Sequence, residues 1–383
     1  MILGVPKESY PDERRVALIP AFVERVTKLG LEVLVQKDAG AGAGFADHLY
    51  ADRGARIIPS RRELYGSSDI ILQVRAAAAN PARGAADLRL MKRGSVLIGL
   101  LDPYASKELL HVLAQRRITS FAMELIPRIT RAQDMDVLSS MASISGYRAA
   151  LLAACALPRM YPMLITAAGT VVPAKVFVVG AGVAGLQAIA TAHRIGAVVS
   201  AYDVRPAVRE QVQSLGAKFI EMELDSEGTE ENDGYARDMG EEFYRRQREL
   251  MRRVVAESDV VITTAAVPGK KAPLLISEDM LKGMAPGSVI VDLAAEQGGN
   301  CDCTVPGETV TRHGVTVIGP VNFPSTVPYH ASQLYSRNIT SFLGVVFKEG
   351  RVDAECKDEI ACESLLTRDG RLVNQKVESA LGL

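Results

Sequence analysis

Short apolar runs alternate with amphipathic stretches from the first residues onward. Residues 2–5, 31–35, 56–58, 70–74, 96–100 and 118–122 read as strands, and stretches such as 21–29 and 107–116 between them repeat apolar residues at helical spacing. Strands alternating with helices imply βα units on a parallel sheet, so the pattern predicts a first α/β domain ending near residue 125. The alanine-rich residues 76–86, with Pro81 and Gly84, read as a loop and a short helix. A long helix is expected over 139–157, with Ser139 as its cap and Pro158 beyond its end.

The alternation then resumes. Residues 176–179 are an unbroken apolar run, as in a strand covered on both faces, and they lead through Gly180, Gly182 and Gly185 into a helix. After Gly196 and Ala197 a strand over 198–202 ends at Asp203, and further strands are expected at 218–220, 259–263, 288–292 and 315–318. Beyond Pro328 the chain turns helical through Gly344 and returns to the first domain. The expected fold class is α/β, two Rossmann-like domains with parallel sheets. Residues 1–139 and 326–383 form a discontinuous N-terminal domain, and 140–325 a dinucleotide-binding domain.

The glycine spacing carries the first candidate chemistry. In a Gly-x-Gly-x-x-Gly turn, Gly180 permits the tight turn, Gly182 lets a pyrophosphate approach the backbone and Gly185 lets the helix lie close to the strand. The phosphates then face the free N–H groups of the first helical turn, where the helix dipole favours negative charge. Asp203 stands close to the ~20-residue spacing expected of the acid that binds the adenosine ribose, which favours NAD over NADP. Arg205 is the complication, because a nearby arginine can accommodate the extra phosphate of NADP.

Composition narrows the class. The chain has 383 residues, more than a typical single core holds, with 23% charged residues, 48% hydrophobic residues and a net charge of -1. That balance argues against a nucleic-acid binder. No uninterrupted apolar span reaches the ~20 residues of a membrane helix, since the longest candidate, 141–163, is broken by Ser143, Ser145, Arg148, Pro158 and Arg159. The opening residues read as a strand rather than a signal peptide. Five scattered cysteines (Cys155, Cys301, Cys303, Cys356 and Cys362) fit a reducing cytoplasm, and Cys301 and Cys303 are too close-set for the usual zinc pair, so no metal site is expected.

Two further stretches stand out. Residues 221–240 are rich in carboxylates and glycine and hold Tyr235, which reads as a solvated acidic loop or, with an aromatic able to close over a cofactor, as a lid. Arg128, Arg131, Gln133, Asp134, Asp136, Ser139 and Ser140 crowd the expected junction of the domains. Such donors and acceptors suit a nicotinamide carboxamide, and equally a loop that caps the next helix through Asp136 or Ser139.

Here a resemblance becomes specific. The stretch from Arg131 to Asp136, Leu138 to Ala142, Gly146 and Tyr147, the glycine turn with its helix to Ala192, Gly234 to Ala236, and Val291 to Asn300 are similar to the NAD(H)-binding domain of proton-translocating nicotinamide nucleotide transhydrogenase. The opening Pro6 to Glu8 and Arg14 to Pro20 resemble the wider alanine dehydrogenase family. The resemblance implies that NAD(H) is held here and a hydride exchanged with NADP(H) on a partner subunit. It implies that Arg128, Gln133, Asp136 and Ser139 surround the nicotinamide, and that Gly180, Ala181, Gly182, Val183, Ala184, Gly185, Val204, Arg205 and Ala265 line the dinucleotide. Asp203 would hold the ribose and Tyr235 the closing loop. It further implies a homodimer without membrane insertion of its own. Its partners would be a membrane-spanning alpha2-type subunit and an NADP(H)-binding beta subunit, on the cytoplasmic face of the inner membrane.

The closest rival is an alanine dehydrogenase, which needs a positioned acid or base and a cationic clamp for a carboxylate. In that family a histidine follows the strand equivalent to 96–100 and a lysine ends the preceding one; here those regions hold no histidine, and Arg75 stands for the lysine. His48, His111, His193, His313 and His330 all fall in patterns of surface or capping residues, and Glu296 replaces the family's aspartate. Arg15 remains where the family binds a carboxylate, but it can pair with Glu8 or Glu13 instead. A third reading, a dinucleotide sensor without chemistry, has no recognition motif to favour it.

Overall fold

The apolar run Ile2–Val5 (β1) is an interior strand of the first of two large sheets in a computed structural model that describes residues 1–221, 241–266, 269–353 and 355–382. Residues 222–240, with the expected lid and Tyr235, lie outside the described residues. The chain divides into two compact units, Met1–Met141 with Pro324–Leu383, and Ala142–Phe323.

In the first unit β1 pairs in parallel with Glu32–Gln36 (β2) on one side and Ile70–Arg75 (β4) on the other. Arg56–Ile58 (β3), Val96–Leu100 (β5) and Thr119–Ala122 (β6) complete the order β3-β2-β1-β4-β5-β6, the arrangement of a doubly wound sheet. The apolar runs are continuous because helices cover both faces: Leu3, Val5, Ile70, Ile71, Leu72, Leu97 and Ile98 are all wholly buried.

The sheet is mostly parallel, as expected, and carries an antiparallel addition at one edge. Leu365–Arg368 joins β6 antiparallel, and Arg371–Leu372 folds back on it through Asp369 (φ 52°) and Gly370 (φ 84°). Two positive φ values in a two-residue loop make the tight turn whose twist matches that of the strands it joins. The long helix Pro328–Val346 precedes these strands and serves the irregular segment before the first helix. Ser325, Ser332 and Ser336 accept hydrogen bonds from the N–H groups of Arg14 (2.8 Å), Val16 (3.0 Å) and Ile19 (2.9 Å). Buried backbone donors outside secondary structure need such partners, and here they come from more than 300 residues away.

The second unit repeats the plan. Lys175–Val179 (β9) lies between Val198–Tyr202 (β10) and Val260–Thr263 (β12), within the order β11-β10-β9-β12-β13-β15-β14; here β11 is Lys218–Phe219, β13 Val289–Asp292, β14 Thr309–Arg312 and β15 Val315–Ile318. β14 alone is antiparallel, joined to β15 through His313 (φ 50°) and Gly314 (φ 79°). A separate hairpin, Leu164–Thr166 (β7) with Gly169–Val171 (β8), is exposed on every strand residue. The helix Val137–Ala156 is the one helix, among the described residues, long and apolar enough to cross a membrane. Its Ala149, Ala150 and Ala153 are wholly buried against Val176, Val178 and Ala188, as in a core helix of a folded unit.

Glu8, just beyond β1, is buried where the register between β4 and β5 shifts. Its carboxyl oxygens accept the N–H groups of Val74 (2.7 Å) and Arg75 (3.2 Å). Burial, and then the neighbouring Glu13 carboxylate, push Glu8 up to about 8, against those N–H groups and Arg15. The folded state therefore holds this proton more tightly than the unfolded chain. Its contribution to stability is present below the ordinary glutamate range and lost as pH rises through about 8. Urea unfolding of wild type and Glu8→Gln across pH 5 to 8 should show wild type losing up to about 1.4 kcal/mol per pH unit relative to the variant. Parallel profiles would mean that Glu8 does not hold its proton in the folded state.

Candidate functional site

The glycine turn begins where β9 ends. Gly180 has φ 96°, a conformation costly for any residue with a side chain, and a Cβ there would stand 2.5 Å from the Thr264 hydroxyl. That hydroxyl donates to the Gly180 carbonyl at 3.0 Å and ties the turn to the end of β12. At Gly185 a Cβ would lie 1.8 Å from the same carbonyl, so only glycine allows the helix Val183–Arg194 to sit this close to its strand. Gly182, the residue before that helix, differs: a Cβ there would meet only an Arg205 nitrogen, at 3.9 Å. Its small size leaves open space at the helix N-terminus rather than satisfying an internal contact. Ala181 is buried, Ala184 half-buried and Val183 exposed, and a Cβ on Gly146 would stand 2.0 Å from the Ala184 carbonyl, so two helices also cross here backbone to backbone.

Asp203, directly after β10, grips this turn. One carboxylate oxygen accepts the Ala181 N–H at 2.7 Å and the Arg205 Nη2 at 2.9 Å; the other accepts the Arg205 N–H and Nε, both at 2.9 Å. The Asp203 side chain is only 6% exposed and that of Arg205 18%. A two-pronged contact of this kind fixes orientation as well as charge. Val204 between them is half-buried. On the other side of β9, Ala265 donates its N–H to the Asn300 side chain at 3.1 Å, while Asn300 Nδ2 donates to the carbonyls of Ala265 and Pro273, both at 2.8 Å.

Sequence reasoning missed the residue that organises this flank. Asp292, buried at the end of β13, accepts from the hydroxyls of Thr263 (2.9 Å) and Thr304 (2.7 Å) and from the N–H groups of Ala294 (3.0 Å), Asn300 (2.7 Å) and Cys301 (3.1 Å). An acid closing an otherwise apolar strand was its signal. Glu296, which drew attention instead, is exposed.

The polar segment belongs to the first unit. Residues Thr130–Met135 form a 3₁₀ turn, and Asp136 follows as the cap of the helix Val137–Ala156. Its carboxylate accepts the Ser139 N–H at 2.8 Å and the Ser139 hydroxyl at 2.6 Å. Asp136 is therefore the cap and Ser139 lies in the first turn, which decides between the two expected candidates. Both are half-buried, whereas Arg128 and Gln133 are exposed. The C-terminal return anchors the segment: Arg131 pairs with both oxygens of Asp358 at 2.7 and 2.9 Å, and Asn338 donates to the Asp134 carbonyl at 2.8 Å. The Arg131 guanidinium holds the Asp358 carboxyl below the usual aspartate range.

Residues 4–145 match the family "Alanine dehydrogenase/PNT, N-terminal domain" and residues 149–375 its C-terminal domain. The chain belongs to the alanine dehydrogenase/PNT family. Within that family it is 44% identical, over 98% of each chain, to the first portion of the NAD(P) transhydrogenase alpha subunit of Rhodospirillum rubrum. The crystal structure of transhydrogenase from Sinorhizobium meliloti is similar with a TM-score of 0.85 at 41% identity, covering 98% of this chain and 100% of that one. The alanine dehydrogenase of Bacillus subtilis stands further off, at 28% identity over 100% of this chain and 95% of its own.

All five histidines are exposed; His313 sits in the turn before β15 and bonds Glu278 at 2.7 Å. The Arg15 guanidinium, buried, grips Glu13 through Nε at 2.7 Å and Nη2 at 2.5 Å, so of its two candidate partners Glu13 holds it. The glycine geometry separates two variants of similar size. Gly185→Ala should cost about 2 kcal/mol or more in chemical denaturation, because the clash is with backbone. Gly182→Ala should cost under about 1 kcal/mol, since its Cβ meets open space. Equal losses would show that the two glycines share one packing role.

Proposed function

We propose that this chain binds NAD(H) and exchanges a hydride directly with NADP(H) carried by a partner subunit, as the alpha component of a proton-translocating transhydrogenase. The observation that carries this reading is the Asp203 carboxylate fixed beside the Ala181 N–H, a negative charge at the tip of β10 where an adenosine ribose binds and a 2′-phosphate is repelled. In this reading the N–H groups at Gly182 to Gly185 and the start of the helix Val183–Arg194 receive the pyrophosphate. Asp203 with Val204 and Arg205 receives the ribose, Ala265 contacts the dinucleotide, and Tyr235 closes over it. For the ribose to bond Asp203, Arg205 must release at least one of its contacts, so cofactor binding and movement of Arg205 are coupled.

Arg128, Gln133, Asp136 and Ser139 orient the nicotinamide. The nicotinamide supplies the hydride chemistry; these side chains supply position. Passage of a hydride between two nicotinamides moves no proton to or from the protein, so the site works by proximity and orientation and needs no histidine. The amino-acid dehydrogenase alternative needs a free cation and a proton carrier, and the exposed histidines and the Arg15–Glu13 pair weigh against it. The membrane-spanning alpha2-type subunit and the NADP(H)-binding beta subunit hold the chain at the cytoplasmic face of the inner membrane. The exposed hairpin β7–β8, with Ile165 73% exposed and Val172 just beyond it 76% exposed, supports a homodimer in which a second copy covers these side chains.

The isolated protein should bind NADH and reduce an NADP+ analogue only after an NADP(H)-binding subunit is added. Alanine-dependent NAD+ reduction by the chain alone would favour the dehydrogenase instead. Asp203→Ser should weaken NADH binding about tenfold and narrow its preference over NADPH, as read by fluorescence titration with both nucleotides. An unchanged ratio would place selectivity elsewhere. Light scattering on an Ile165→Ser, Val172→Ser double variant should show the mass of one chain where wild type shows two; two monomeric proteins, or two dimers, would remove the hairpin from the assembly.

A further inference from the structure

Asn300 ends the Gln-Gly-Gly-Asn stretch that follows β13, and it is wholly buried. Two consecutive glycines deliver it there. Gly298 (φ 96°) and Gly299 (φ 80°) both take left-handed backbone, and a Cβ on Gly299 would stand 2.9 Å from an Asp292 carboxylate oxygen. That same oxygen accepts the Asn300 N–H at 2.7 Å, so the asparagine backbone is seated on Asp292. The Asn300 carbonyl accepts the N–H groups of Leu275 (2.8 Å) and Ile276 (2.9 Å), which holds the backbone from its other side.

The side-chain amide does for the end of β12 what a neighbouring strand would do. Its Oδ1 accepts the Ala265 N–H at 3.1 Å, and its Nδ2 donates to the carbonyls of Ala265 and Pro273, both at 2.8 Å. Binding the N–H and the carbonyl of one residue fixes the orientation of the peptides on either side of it. The bond to Pro273 ties the chain leaving β12 to the chain at residue 273. Thr264, next to Ala265, donates its hydroxyl to the Gly180 carbonyl at 3.0 Å, so this rim lies against the glycine turn.

We propose that Asn300 is a positioning residue for the dinucleotide: it sets the main chain at Ala265 before the cofactor arrives, so NAD(H) meets a formed rim rather than ordering one as it binds. This inference rests on the reading that Ala265 contacts NAD(H). The contribution of Asn300 is to affinity, through the backbone it holds.

Fluorescence titration of the full chain with NADH tests the proposal, with a second asparagine as the control. Asn374, in the first unit, makes the same pattern of three bonds: its Nδ2 donates to the carbonyls of Glu363 (2.9 Å) and Leu365 (3.2 Å), and its Oδ1 accepts the Val377 N–H at 3.2 Å. Asn300→Ala should weaken NADH binding about tenfold, whereas Asn374→Ala should stay within about twofold of wild type. Both should lower the thermal midpoint by a few degrees. Equal affinity in wild type and Asn300→Ala, or equal losses in the two variants, would overturn the positioning role. A wild type that binds no NADH would overturn the reading beneath it, and the inference with it. Hydrogen exchange on nucleotide-free wild type reads the same contact without a variant. The Ala265 amide should exchange at least about a hundredfold more slowly than an unprotected amide; exchange at the unprotected rate would mean that the rim is not preformed and would overturn the proposal.

Discussion

Everything in the second unit depends on how closely the helix after β9 approaches the strand that precedes it. The Gly180 carbonyl occupies the place a side chain at Gly185 would need, and the Thr264 hydroxyl binds that carbonyl from the neighbouring strand. The strand, the turn, the helix and the end of β12 are thereby fixed by contacts that admit no methyl group. The consequence is a rigid cradle of backbone N–H groups whose one spacious position, Gly182, faces outward. Rigid backbone donors of this kind meet an anion without reorganising, which is what the proposed site, working by holding a cofactor in place, requires.

Carboxylates fix the backbone in both units, and each does so by collecting donors. Asp203 binds the turn and Arg205 together, Asp292 gathers five donors at the end of β13, and Asp136 opens the helix Val137–Ala156. None is left as a bare buried charge, and a charge so satisfied positions backbone because moving it would strand several hydrogen bonds at once. Glu8 follows the opposite course. With two N–H donors and the Glu13 carboxylate nearby, burial dominates and its proton is retained up to about 8.

The C-terminal return has the same logic in the first unit. Residues 15–19 run without regular structure through a buried region, and Ser332 and Ser336 complete the hydrogen bonds of Val16 and Ile19. Without that segment both buried donors would be orphaned. The return also holds the polar segment through Asp358 and Asn338, so the residues proposed to meet the nicotinamide are anchored by chain that arrives some 200 residues later.

The local patterns written in the sequence specified the buried parallel strands, the strand–turn–helix at Gly180 to Gly185, and the acid after the second strand. All of these are set by interactions between near neighbours: apolar runs, φ at single glycines, and a spacing of about 20 residues. The antiparallel strands were not read from the sequence: their trace is only the turn pairs Asp369–Gly370 and His313–Gly314, since the flanking strands are too short to show alternation. What the tertiary structure alone decided were the partners of polar groups. It chose Asp136 over Ser139 as the cap, gave Arg15 to Glu13, joined Asp203 to both Ala181 and Arg205, and brought Asp358 to Arg131. A polar side chain in a sequence has several possible partners of similar energy, and only packing of distant segments determines which one lies within reach.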